Sequence, residues 1–311
     1  MRSNSIMDRE TLLHLPVVVT VAKQRSFAKA ARLLGLSASA VSHAVRVVEE
    51  RLGTPLFLRT TRNVAITEAG ESFLNRAIAA LGELEDAVEA TQATRGKITG
   101  VLKINAPRIS FPLIIKDVLV ALAHQHPHLV VEVTSEERLI DIVADGYDAG
   151  IRLGEMISED MVAVRLTSAF KAIMVASPDY LARAGEPLSL EALRSHNTIG
   201  YKLIAGGGVY AWDVVDQGKN LSVSVTGTAR VTDPLFALDL ALAGVGIAYV
   251  FEPLAREHLR SGALKQLLPD SAITEPGLFL YFPRHAAQAP KLRAFIEAAR
   301  TCRDSLQFNN E

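Results

Sequence analysis

The residues best placed to do chemistry in this 311-residue chain lie in its first fifth. Ser37, Ser39, Ser42, His43 and Arg46 fall within ten positions. Ser39, Ser42 and His43 are spaced i, i+3, i+4, so a helix puts them on one face, opposite a stripe of Val41, Val45, Val48 and Leu52. Hydroxyl and imidazole groups near the start of a helix can exchange hydrogen bonds with base edges in a major groove, and Arg46 suits a phosphate. Arg59 and Arg62, with Thr60 between them, suit a nucleic-acid backbone or minor groove, and Ser26 and Arg32 suit further phosphates. Solvated surface is the alternative for each of these polar groups.

Charge follows the same division. Residues 1–70 carry ten Lys/Arg against five Asp/Glu, a net +5. With a whole-chain net charge of −1, the remainder is −6. A basic head on an acidic body points to the head as the part that meets a polyanion.

Other chemistries lack residues to carry them. The single cysteine, Cys302, excludes an intramolecular disulfide and a thiolate metal cluster. His124, His126 and His128 alternate, and alternate side chains diverge on a helix, while Pro127 makes a turn there. Gly206-Gly207-Gly208 lacks the Gly-Lys-Ser/Thr that a phosphate loop needs, and Trp212 reads as core. No Gly-x-Ser-x-Gly, His-Glu-x-x-His or Cys/His nucleophile pattern occurs. The reading is therefore no enzyme, no metal and no cofactor. The first ten residues hold no secretory signal, and even Leu235 to Phe251 is interrupted by Asp239 and glycines, so a cytoplasmic protein without a membrane span is expected.

The elements that must position these residues are legible from caps and breaks. Helix 1 covers the apolar run Leu12 to Ala22, and it either starts near Leu15-Pro16, with Pro16 in its first turn, or is kinked there. Ser26 caps helix 2, which Gly35 ends; Ser37 caps helix 3, which Gly53 ends. Two helices across so short a turn form a helix-turn-helix. Leu56–Arg59 and Asn63–Ile66 read as a hairpin wing, and Thr67 caps a long helix reaching about Thr94. Along it Phe73, Ala77, Ala80, Leu84, Ala87 and Thr91 alternate steps of four and three, a seam narrow enough to pair with a second helix. Packing on the chain's own C-terminal part is the alternative.

Past Gly96 the pattern alternates strands and helices, which implies βαβ units and a parallel sheet. Strands are expected at 101–105, 129–134, 149–153 and 162–166, with helices between the first three. A second series covers 172–176, 198–201, 221–225 and 246–251, with a helix at 234–243. The strand 278–282 and the helix 290–300 return to the first series. Two α/β lobes with a cleft between them result, and ligands sit in such clefts.

The stretch from Ser26-Phe27-Ala28-Lys29-Ala30-Ala31 through Leu36-Ser37-Ala38-Ser39-Ala40-Val41-Ser42-His43, with Arg59-Thr60-Thr61-Arg62 and Thr67-Glu68-Ala69-Gly70, resembles the LysR-type transcriptional regulators. Asp148 to Glu155, Val231-Thr232-Asp233-Pro234 and Leu242 to Tyr249 look like that family's effector domain. The fold so implied is multidomain. An all-α, winged helix-turn-helix N-terminal domain (1–67) leads through a long linker dimerisation helix (68–95) to a two-lobed, periplasmic-binding-protein-like (type 2) α/β effector domain (96–311). Lobe 1 then spans about 96–166 plus 268–311, and lobe 2 about 167–267. The resemblance implies a sequence-specific regulator that binds double-stranded DNA at dyad-symmetric promoter sites. It also implies a dimer that assembles into tetramers, with RNA polymerase as a further candidate partner.

In that family the effector lies between the lobes, on strand-to-helix turns. Here those turns hold Arg108, Ser110, Phe111, Arg152, Glu155, Asp233 and Pro234, with Tyr201 and Lys202 completing the ring. Arg108, Arg152 and Lys202 suit a carboxylate or phosphate, while Glu155 and Asp233 suit hydroxyls or amines, which makes a small polar metabolite the expected effector. The bland alternatives are that Asp233 caps its helix and that Arg152 pairs internally with a carboxylate such as Asp148. The sequence departs from the family at Arg25, where glycine is common and positive φ is expected, and at Pro16, Ala38 and His43. These departures bear on which operator is read. Two rival readings are a solute-binding protein and an architectural DNA-binding protein without effector response.

Overall fold

The computed structural model describes residues 8–59, 64–93, 97–154, 157, 161–203 and 207–308. Helix α1 (Arg9–Gln24) starts where the Asp8 side chain accepts the Thr11 amide at 2.9 Å. Helix α1 does not start near Pro16: it runs from Arg9 to Gln24 with the proline inside it. Helices α2 (Phe27–Leu34) and α3 (Ala38–Leu52) begin as expected, with Ser26 accepting from the Lys29 amide and Ser37 from the Ala40 amide. Arg25 closes α1 at φ 45, in the left-handed region where a glycine would be unstrained. The three helices bury Val18, Val21, Ala30, Val41, Val45 and Val48 in one core, which Leu56, Phe57 and Leu74 complete.

The wing is an antiparallel pair, β1 (Phe57–Arg59) and β2 (Val64–Ile66). Helix α4 (Glu68–Ala93) follows, with the Thr67 hydroxyl accepting the Gly70 amide at 2.9 Å. Gly70 is required by closeness: a Cβ there would stand 2.2 Å from the Leu56 carbonyl oxygen.

The rest of the chain forms two lobes. In chain order come β3 (Gly100–Ala106), α5 (Lys116–Gln125) preceded by a π-turn at Phe111–Ile115, β4 (Leu129–Ser135), β5 (Ala149–Leu153) and β6 (Met161–Arg165). The second lobe holds β7 (Phe170–Ala176), α6 (Pro178–Ala184), β8 (Ile199–Tyr201), β9 (Trp212–Asp216), β10 (Lys219–Val223), β11 (Ala229–Val231), α7 (Pro234–Leu242), β12 (Ala248–Phe251), α8 (Glu252–Arg260), β13 (Lys265–Leu267) and β14 (Ile273–Glu275). The chain then returns through β15 (Leu278–Pro283) and α9 (Pro290–Phe308). The first lobe's sheet runs β4-β3-β5-β15-β6, parallel from β4 to β5 and antiparallel where β15 enters. Leu102, Ile104, Ile115, Ile151, Leu280 and Phe295 lie at the centre of its core.

Three expectations need correction. Between β4 and β5 there is one turn instead of a helix: the Asp141 carboxylate accepts the Val143 and Ala144 amides, and Gly146, at φ 77, ends the turn. The second lobe is mostly antiparallel, because β12, β13 and β14 all pair with the central β7, and among its described strands β8 and β11 are the parallel pair. The return crossing expected near residue 268 comes later, since Ile273–Glu275 still pair with β7. Among the described residues no helix is long and apolar enough to cross a membrane.

Candidate nucleic-acid interface and inter-lobe cleft

In α3 the valine stripe is buried, which leaves Ser39, His43 and Arg46 exposed and Ser42 half-buried. The helix start is organised locally. The Ser37 and Ser39 hydroxyls stand 2.9 Å apart, with Ser37 also serving as the cap. One turn on, His43 Nδ1 is 3.2 Å from an Arg46 guanidinium nitrogen. Arg46 also approaches Glu50 at 3.9 Å, a contact between side chains about two-thirds exposed that leaves the guanidinium available. Arg32 is exposed and Ser26 half-buried as the α2 cap. Thr60 and Arg62 lie outside the described residues. Arg59 is placed as the last residue of β1, but its side chain lies outside the description.

Three supports of this face were missed in the sequence. His14 of α1 meets the His43 ring edge-on at 6.0 Å between centroids. Glu49 turns inward: its carboxylate accepts the Leu56 amide at 2.8 Å and the Phe57 amide at 3.1 Å, pinning the start of the wing to α3. Arg51 ties the other end of α3 to the start of α1 through Asp8 at 3.0 Å and Glu10 at 3.4 Å. The Thr11 amide and hydroxyl, joined by Arg51, hold the Asp8 carboxyl below its usual value. A charge inside an otherwise amphipathic helix signals such pins only weakly.

The seam on α4 divides. Half-buried Phe73 and buried Ala77 pack on Leu15 and Val19 of α1, whereas Ala80, Leu84 and Ala87 are exposed.

In the effector domain, Arg108 of lobe 1 reaches Asp233 of lobe 2 at 3.2 Å across the cleft, with its guanidinium 5.2 Å from the Phe236 ring centroid. Asp233 also caps α7 by accepting the Leu235 amide at 2.8 Å, so the bland reading of that residue is half of its role. The Arg108 amide donates to Glu137 at 2.8 Å. Burial, then Asp233, push the Glu137 carboxyl up, against the pull of the hydrogen bond. Burial, then Glu137 and Asp233, push the Tyr201 hydroxyl up to about 12, so it stays a neutral donor beside them. Glu137 and Phe236 were not anticipated, since neither stands in a recognisable pattern.

Arg152 is 2% exposed, and its partners are neutral. It donates to the Ile151 carbonyl at 2.6 Å, the Asn105 Oδ1 at 2.6 Å and the Arg138 carbonyl at 2.8 Å. The expected internal partner, Asp148, is engaged elsewhere, accepting the Lys103 amide at 2.7 Å and lying 3.2 Å from Lys291. Ser110 is fully buried, Phe111 is 48% exposed, Pro234 is half-buried and Lys202 is exposed. Glu155 lies outside the described residues. A separate groove of about 610 Å³ near the inter-lobe crossover, lined by Leu113, Phe170, Leu238, Arg256 and Arg303 among others, contains none of the expected effector residues.

Comparison with known proteins decides the family. Residues 12–71 match the "bacterial regulatory helix-turn-helix protein, lysR family" and residues 95–303 the "LysR substrate binding domain". The chain belongs to the LysR family of transcriptional regulators. This LysR-type chain is 34% identical to an uncharacterised HTH-type transcriptional regulator, YcaN, of Escherichia coli K12, over 90% of this chain and 92% of the relative. The structure of CrgA, a LysR-type transcriptional regulator from Neisseria meningitidis, is 28% identical at a TM-score of 0.60, covering 93% of this chain and 98% of that one. A full-length OxyR variant from Pseudomonas aeruginosa, 15% identical, shares the fold at a TM-score of 0.70, covering 94% and 95%.

Proposed function

We propose that this LysR-type regulator binds dyad-symmetric promoter sites as a dimer or tetramer, and that a small polar metabolite held between its C-terminal lobes modulates that binding. The division of labour is 1–67 for DNA, 68–95 for pairing and 96–311 for the effector. The observation that carries the effector half is the Arg108–Asp233 pair, because a contact that bridges two lobes gives a ligand a difference between two states to act on. On the DNA side, Ser39, Ser42 and His43 read bases, Arg46, Arg32 and Ser26 hold phosphates, and Arg59 and Arg62, with Thr60 between them, meet the backbone or the minor groove, with Ser37 at the start of the reading helix. Exposed Ala80, Leu84 and Ala87 on α4 supply the pairing face, and Phe73 and Ala77 brace it from within. Arg108, Ser110, Phe111, Arg152, Tyr201, Lys202, Asp233 and Pro234, with Glu155, line the effector site. A cytoplasmic location and contact with RNA polymerase fit this role.

The test is recovery of genome fragments by the full chain at physiological salt, with and without candidate metabolites. Enrichment of a few dyad-symmetric promoters is expected. His43→Ala should change the preference among operators, whereas Arg46→Ala should weaken all of them alike and lower the salt slope by about 1. Uniform recovery of all fragments would sink the reading.

A further inference from the structure

The groove of about 610 Å³ near the inter-lobe crossover draws its walls from both lobes. Lobe 1 supplies Pro112 and Leu113 of the π-turn, and lobe 2 supplies Leu235 and Leu238 of α7 with much of α8. Residues 166–170, where the chain passes between the lobes, line it as well. The return crossing lies alongside, since the Leu278 amide donates to the Thr167 hydroxyl at 2.9 Å. The groove therefore sits on the hinge, and its volume falls in the range of roughly 300–1,000 Å³ that small-molecule sites occupy.

The elements that wall the groove also carry the cleft. The π-turn starts at Phe111, immediately after Ser110, and turns Pro112 and Leu113 into the groove. Helix α7 starts at the Asp233 cap, holds Phe236 5.2 Å from the Arg108 guanidinium, and gives Leu235 and Leu238 to the groove. Helix α8 packs on the π-turn, so the lobes touch here a second time, outside the Arg108–Asp233 bridge. A body lodged between the π-turn and α7 bears on both ends of that bridge, and a change in its spacing alters how well the body fits. Single-turn π segments recur at functional sites.

The lining selects by polarity. Leu166, Phe170 and Leu238 are buried, and Leu113 and Leu254 half-buried, which makes an apolar floor. Around it stand Arg256, Arg260 and Arg303 against Asp117, Glu252 and Glu257, charges that cancel with His258 counted neutral. Two of the arginines are engaged, Arg256 by Glu252 at 3.1 Å and Arg303 by Asp304 at 2.9 Å. No net charge is left to offset the dehydration of an entering ion, so the groove disfavours ions of either sign.

The geometry points to a second small-molecule site, on the hinge, for an uncharged ligand with an aromatic or branched aliphatic body, whose occupancy fixes the spacing of the lobes. This goes beyond the cleft reading and does not depend on what the cleft binds.

The experiment is a thermal-shift and calorimetric titration of the full chain with 1-naphthalenemethanol, set against 1-naphthoate and 1-naphthylmethylammonium, three probes of similar shape and different charge. Saturable stabilisation by the alcohol is expected, with each ion about tenfold weaker or more. Ala169→Trp fills the groove from an exposed hinge position and should cut the affinity for the alcohol about tenfold or more. Glu257→Lys, at an exposed position of α8, gives the lining a net positive charge and should bring 1-naphthoate within a few-fold of the alcohol. Hydrogen exchange at the Leu235 and Phe236 amides should slow several-fold when the alcohol is bound. Should Ala169→Trp melt markedly lower without ligand, Glu257→Lys carries the test alone. Equal binding of the three probes, or no gain for 1-naphthoate in Glu257→Lys, would overturn the uncharged ligand. Undiminished binding by a folded Ala169→Trp would place the alcohol elsewhere on the chain, and binding without altered exchange in α7 would remove the link to the lobes. Either result overturns the inference, as does the absence of saturable binding by the alcohol.

Discussion

Replacing Asp233 separates two contributions of one side chain. The carboxylate caps α7 through the Leu235 amide and bridges the lobes through Arg108. Asparagine caps as well as aspartate but carries no charge, so Asp233→Asn removes the bridge and keeps the cap. Arg108 is 54% exposed at its side chain, so solvent screens the pair, and it contributes about 0.2–1 kcal/mol even though Asp233 is 7% exposed. Asp233→Ala loses the cap too, about 1 kcal/mol more. Hydrogen exchange of the Leu235 and Phe236 amides in the full chain reads the difference. Protection should fall up to about 5-fold in the asparagine variant and a further 5-fold or so in the alanine variant. A double-mutant cycle with Arg108→Met should return a coupling below about 1 kcal/mol. Equal loss of protection in the asparagine and alanine variants would refute the capping argument. A coupling above about 2 kcal/mol would refute the screening argument.

Three more outcomes follow from named contacts. Glu49→Ala strands the Leu56 and Phe57 amides, both on buried residues, and should destabilise the winged domain by about 2–4 kcal/mol in thermal unfolding; Glu49→Gln, which keeps an acceptor, should lose under half of that. Hydrogen bonds from Arg138 lower the Glu136 carboxyl from 4.5 to about 2. A lowered folded-state value means that its stabilisation is complete above pH 4.5 and is lost as pH falls towards 2. Glu136→Gln should therefore flatten that part of the acid-unfolding curve, and an unchanged curve would rule the contact out as a contributor. Leu84, 64% exposed on α4, should be dispensable for the fold but not for pairing, so Leu84→Glu should shift the chain to a smaller assembly in light scattering while its circular dichroism stays the same.

Much of the N-terminal part was legible because its signals are local. Ser26, Gly35, Ser37 and Gly53 act on amides and torsions within a few residues of themselves, and the valine stripe of α3 needs only the helical period to declare its buried face. The positive φ of Arg25 followed from its place at the end of a helix where glycine would normally stand. The Asp233 cap was legible for the same reason, since a cap is read from its immediate neighbours. The order of the strands was only partly readable. Three strands choose β7 as their partner, and pairing across a sheet is decided by which edges the tertiary fold brings together.

What the sequence by itself determined was therefore the two-part architecture and the exposed face of α3, since both rest on periodicity and on caps. Only the tertiary structure decided that Arg108 and Asp233 meet, that Glu49 turns inward, that Phe73 and Ala77 lean on α1, and that Arg152 is buried among carbonyls instead of pairing with Asp148. Each of these depends on desolvation and on the direction of a side chain relative to a distant segment, and neither quantity exists until the lobes and helices are packed.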